Sequence, residues 1–162
     1  MISTSEFTVG NPSPCTPLSL ILPRHDSEEA LLIGTSKTGK KAALILTGSH
    51  QFTWFEADGA DRWAGLVFPG VRIEIDETTV FSADYSRALP GNLVREGTCL
   101  YARAKAHAFG GFDAIVLESD LAPTGDLSAG FTKWQVVLGS GHEKRLLWKI
   151  GQGSDAPSGP DW

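Results

Sequence analysis

The stretch LLIGTSKTGKKAALIL, residues 31–46, decides between two kinds of molecule. Read against the pattern G-x-x-x-x-G-K-[ST], Gly34, Gly39 and Lys40 open a phosphate-binding loop. In such a loop backbone N–H groups wrap the phosphates, the Lys reaches the terminal ones, and a Ser or Thr hydroxyl holds Mg²⁺. Lys41 stands where that hydroxyl belongs, so the metal ligand is missing. The motif also needs a helix to begin at this point. KKAALILTG reaches Gly48 in about two and a half helical turns and has the composition of a strand.

Read as a β-hairpin, the same residues make better sense. A turn at Thr38-Gly39 pairs Ile33 with Leu44 and Leu31 with Leu46 on one face. A four-residue Ser36–Gly39 loop preserves that facing pattern. The first reading implies a nucleotide-binding α/β protein and the second an all-β one.

The rest of the chain agrees with the hairpin. Apolar segments of strand length recur between turn residues: 18–22, 30–35, 41–47, 51–57, 65–68, 71–76, 98–106, 113–119, 131–138 and 144–150. In 98–106, Leu100, Ala102, Ala104 and Ala106 alternate with Tyr101, Arg103, Lys105 and His107, which favours a strand. Its Ala, Lys and Arg content also suits a helix at 100–109, and that alternative makes the fold α+β. Ser82 as N-cap, Asp84 in the first turn and Pro90-Gly91 as a stop allow at most one short helix, near 82–89. FTKWQVVLGSGHEKRLLWKI, residues 131–150, predicts a hairpin around a 139–143 loop, with Val136 opposite Leu146 and Trp134 opposite Trp148. The expected fold is thus an all-β single domain, a sandwich or barrel of about nine or ten short antiparallel strands.

With 162 residues, 41% hydrophobic and 20% charged, the chain suffices for one core-bearing domain, and 18 Gly and 9 Pro match a turn-rich architecture. Residues 17–150 form the expected β-rich domain. The Ser, Thr and Pro of 1–16 and the Gly, Pro and polar residues of 151–162 predict flexible flanks. A net charge of −5 argues against nonspecific nucleic-acid and anionic-membrane binding. No apolar run approaches the roughly 20 residues that span a bilayer, and the N-terminal stretch lacks the basic and uninterrupted apolar parts of a signal peptide. The expected setting is soluble and cytoplasmic. Cys15 and Cys99 fit neither a disulfide framework nor a zinc knuckle.

Candidate chemistry is sparse. FEADGADRWAG sets Glu56, Asp58 and Asp61 around a turn, followed by Arg62 and Trp63. Three carboxylates on a loop can begin a calcium site, and an ordinary polar turn accounts for them as well. Glu74 and Asp76 share one face of a strand about 7 Å apart along it, a separation that an inverting glycosidase tolerates. A solvated face, with Arg103 and Lys105 of another strand as partners, is the plainer reading. His25, His50, His107 and His142 are scattered, with no H-E-x-x-H or G-x-S-x-G pattern. Because each catalytic pattern is incomplete, the leading expectation is a non-catalytic binding or assembly module with no cofactor and no metal. Its partner is a protein or small-molecule ligand, homo-oligomerisation stays open, and the binding residues are Asp58, Asp61, Arg62 and Trp63. The alternative is a small hydrolase using Glu74 and Asp76 or a His site assembled by the fold.

Overall fold

The computed structural model describes residues 6–24, 29–60, 63–82, 88–105, 112–125 and 127–151. In chain order its strands are β1 (Thr8–Gly10), β2 (Ser19–Pro23), β3 (Leu31–Thr35), β4 (Lys41–Ile45), β5 (Trp54–Glu56), β6 (Gly65–Pro69) and β7 (Arg72–Ile75). They continue as β8 (Val80–Ser82), β9 (Leu93–Glu96), β10 (Cys99–Lys105), β11 (Phe112–Glu118), β12 (Ser128–Phe131), β13 (Trp134–Leu138) and β14 (Arg145–Lys149). Among the described residues the only helical elements are two three-residue 3-10 turns, Glu77–Thr79 and Gly141–Glu143. The protein is therefore all-β, built from antiparallel sheets that do not close into a barrel. No helix of the described residues is long and apolar enough to cross a membrane.

Residues 31–46 form the β3–β4 hairpin, and each glycine of the phosphate-loop pattern has a backbone reason. Gly39 takes φ 84° after a turn closed by Gly39 N donating to Ser36 O and Ser36 N donating to Lys40 O, at 3.0 and 2.7 Å. Gly34 lies where β11 crosses onto β3, and a Cβ there would stand 2.6 Å from the Val116 carbonyl oxygen. The register is Leu31 to Ile45, Leu32 to Leu44 and Ile33 to Ala43, one residue away from the expected Ile33–Leu44 pairing. A three-residue loop ending in a left-handed Gly inserts the extra residue. Hydrophobicity could not signal the slip, because both faces of β3 and β4 are buried.

The large sheet runs β1-β6-β2-β3-β11-β10-β9-β12-β8, with β4 and β5 branching from β3. The small sheet runs β14-β13-β7. Leu20, Leu32, Leu44, Phe68, Leu93 and Ile115 of the large sheet share one fully buried core cluster with Trp134, Val136 and Trp148 of the small one. Burial of each such side chain stabilises the fold by about 1.5–3 kcal/mol. A second cluster lies on the other face of β2, β3, β4 and β6. There Ile21, Leu31, Ile33, Ala43, Ile45 and Val67 are covered by Cys15 and Ala57 from the flanking loops.

β10 is a strand with Leu100, Ala102 and Ala104 inward, which settles the helix alternative over 100–105. The short helix expected near 82–89 falls mainly on 83–87, outside the described residues. The last hairpin pairs Val136 with Trp148 and Val137 with Leu146 across a bulge, rather than Val136 with Leu146. A bulge sets two residues against one and switches the facing. Leu147 therefore packs on the core while Leu146 is 51% exposed. Trp148 thus stands opposite Val136 and not opposite Trp134, whose carbonyl accepts from Ile150 N at 3.1 Å, and the two indoles touch diagonally, ring centroids 4.8 Å apart at 58°. The expected nine or ten strands become fourteen among the described residues, chiefly through the short β1, β8, β9 and β12. Within the segment expected to be loose, β1 pairs with β6 and Cys15 is buried. The rest of the tail beyond Gly151 lies outside the described residues.

Candidate binding loop

The loop after β5 is set by the strand that precedes it. Trp54 and Phe55 are consecutive and point to opposite faces. Trp54 packs against the main core and its Nε1 donates to Asp113 Oδ2 at 2.9 Å, while Phe55 packs against the second cluster. Ala57, fully buried, donates its N–H to Lys41 O at 2.9 Å, which extends the β4–β5 pairing by one residue, and its own carbonyl accepts from Ala60 N at 3.2 Å as the chain turns. Trp63 then stacks on Phe55, centroids 4.6 Å apart with 25° between planes, and packs against the second cluster. It is half-buried.

Polar contacts fasten the loop to the 11–16 segment. Lys41 Nζ donates to Ser13 O at 2.6 Å and pairs with Asp58 Oδ1 at 3.5 Å, and Gly59 N donates to Ser13 Oγ at 3.3 Å. The Asp58 side chain stays 70% exposed despite this pair. Lys40 of the phosphate-loop pattern pairs with Glu56 at 3.2 Å. Two of the three carboxylates considered for calcium, Glu56 and Asp58, therefore each face a lysine. Asp61 and Arg62 lie outside the described residues. Of the four expected binding residues, the structure brings Trp63 and Asp58 to one loop. Its supports, Ser13, Lys41 and Phe55, went unread in the sequence because two of them come from distant segments. The only signal was the Trp54-Phe55 pair, which implies apolar surface on both faces of β5.

The strand carboxylates have structural partners. Glu74 accepts from Gln135 Nε2 at 2.9 Å and pairs with Lys144 at 3.1 Å, rather than with the expected Arg103 and Lys105. The Gln135 hydrogen bond, together with Lys144 and Arg72, holds its carboxyl below the ordinary value. Asp76 caps the 3-10 turn Glu77–Thr79, accepting from Thr78 Oγ1 and Thr78 N, and these bonds lower its pKa as well. An acid-base pair needs the two values driven apart, and here both move down. His50 Nδ1 lies 2.9 Å from Glu29 Oε1 with the ring in solvent, and His142 sits exposed in the 3-10 turn Gly141–Glu143. His25 and His107 lie outside the described residues. The Cys15 thiol donates to Asn11 O at 3.3 Å, and burial raises its pKa against the opposing pull of Lys41.

Residues 10–156 match the family described as "Uncharacterised protein y4lG". A relative from Sinorhizobium fredii (strain NBRC 101917 / NGR234), "Uncharacterized protein y4lG", is 44% identical over 150 residues, 92% of each chain. No solved structure matches the chain. On the extent of both matches, the chain belongs to the y4lG family.

Proposed function

We propose that this protein is a non-catalytic binding or assembly module that recognises its partner through the 57–63 loop. The observation that carries this reading is the Trp63–Phe55 stack. An aromatic side chain is held rigidly at the surface by the sheet beneath it, with the exposed Asp58 carboxylate on the same loop. Loops positioned by a rigid scaffold are where recognition residues concentrate, and Trp is enriched among the anchors of interfaces. Pinning by Lys41 and Ser13 lowers the entropy that binding has to overcome. The partner class is a protein, a small molecule or a second copy of the chain. The free thiols Cys15 and Cys99 support a reducing, cytoplasmic setting.

The test is affinity capture from lysate with mass spectrometry, comparing the wild type with Asp58→Arg. Asp58 is exposed, so the variant folds normally and reverses the loop's charge. The reading expects specific captured species that Asp58→Arg loses. Equal capture by both proteins, or none by the wild type, removes it. Trp63→Ala serves as a second variant, its melting curve separating lost contact from lost fold.

A further inference from the structure

A bulky residue at positive φ is an outlier that persists only where its surroundings hold it. Phe52 is such a residue, with φ 64° at a position 3% exposed. Its ring lies on Gly91, itself at φ 90°, where a Cβ would stand 2.3 Å from ring atom Cε2. Only glycine admits the ring there. The contact joins two turns that are far apart in sequence, 47–53 and 88–92. Backbone bonds run through both of its residues. Phe52 N donates to Ile45 O at 2.7 Å, Lys105 N donates to Phe52 O at 2.7 Å, and Gly91 N donates to Arg103 O at 2.9 Å. The Gly91 carbonyl also accepts the indole Nε1–H of Trp134 at 2.8 Å, inside the main core.

We propose that Phe52 is a strained latch that couples the two turns as one two-state device. In the closed state its ring is seated on Gly91 and the strain at φ 64° is held by packing. In the open state φ returns to a negative value and the ring leaves Gly91. The Lys105–Phe52 and Trp134–Gly91 bonds release together, because both depend on where those two backbones lie. Strained backbone of this kind recurs in switch regions, where it narrows the gap between two packings. Each turn also carries an exposed group through which it can be engaged. His50, its side chain 70% exposed beside Glu29, lies on one turn, and Leu89, 59% exposed, on the other. A ligand that favours one state at either turn shifts the other turn with it.

The experiment is ¹⁵N relaxation dispersion on the full-length protein. The latch expects the amides of Phe52, Gly91 and Lys105 and the indole N–H of Trp134 to show one common exchange rate and minor population. The amides of Leu32 and Leu44, in the sheet interior, stay silent. Gly91→Ala, which pushes a methyl into the ring, is expected to raise the minor population several-fold, and Phe52→Gly to abolish the shared exchange. Absence of dispersion at the four sites, or unrelated rates among them, overturns the proposal. If Gly91→Ala does not fold, the wild-type measurement decides alone.

Discussion

At the scale of single residues, the two core tryptophans are alike in burial and different in chemistry. Trp134 and Trp148 are 0% and 2% exposed. The Trp134 indole donates to Gly91 O, whereas Trp148 Nε1 has no acceptor among the described residues. Trp148→Ala is expected to cost about 3–5 kcal/mol in urea unfolding, the range for emptying a large aromatic site. Phe substitutions separate the two. Trp134→Phe strips a buried carbonyl of its donor, while Trp148→Phe removes a donor that lacks a partner, so the former is expected to cost about 1–3 kcal/mol more. Equal costs would mean that the indole N–H of Trp134 contributes nothing net. Glu74 and Asp76 supply a second residue-scale expectation. A carboxyl whose folded pKa is depressed stabilises above its unfolded pKa and loses that contribution as pH falls through the folded value. Melting temperature is therefore expected to fall as the pH is lowered below 4.5, the ordinary Glu value. Glu74→Gln is expected to flatten part of that drop, and a pH–melting curve unchanged by the substitution would refute the Glu74 contribution.

At the scale of elements, the β3–β4 turn is held by backbone geometry rather than by its lysines. Gly39→Ala is expected to cost about 1–2 kcal/mol, since φ 84° is left-handed although the space around it is open. Lys40→Ala is expected to change stability by less than about 1 kcal/mol, because its pair with Glu56 is exposed on both sides. Thermal unfolding of the two variants checks both, and a larger loss from Lys40→Ala would return a structural role to that lysine. The same elements explain what the sequence could disclose. Alternation in β10 was legible because one face is small and apolar and the other polar. Register in β3–β4 was not, since apolar residues occupy both faces, nor was the β14 bulge, which needs no special residue. β1 and β8, three residues each, are too short for any periodicity to register. The position of the Asp58–Trp63 loop was readable from local turn chemistry. Its fastening by Ser13 and Lys41 was not, because that depends on which strands lie side by side.

At the scale of the whole molecule, two hydrophobic clusters share the same strands. β3 sends Leu32 into the main core and Leu31 and Ile33 into the second cluster, and β4 divides Leu44 from Ala43 and Ile45 in the same way. Breaking the β3–β4 pairing would therefore dismantle both clusters at once. Leu32→Ala and Ile33→Ala, at positions both 0% exposed, are each expected to cost about 2–5 kcal/mol. Both are expected to lower the midpoint of one shared urea transition without altering its slope, since a slope change would signal a second, separately unfolding unit. Far-UV circular dichroism and tryptophan fluorescence should trace superimposable curves, although Trp63 reports the second cluster and Trp134 and Trp148 the first. An early transition in Ile33→Ala that leaves the Trp134–Trp148 signal intact would show instead that the second cluster is a detachable layer. In that case the 57–63 loop stands on a surface that opens independently of the core, and the rigidity on which its recognition role depends is lost.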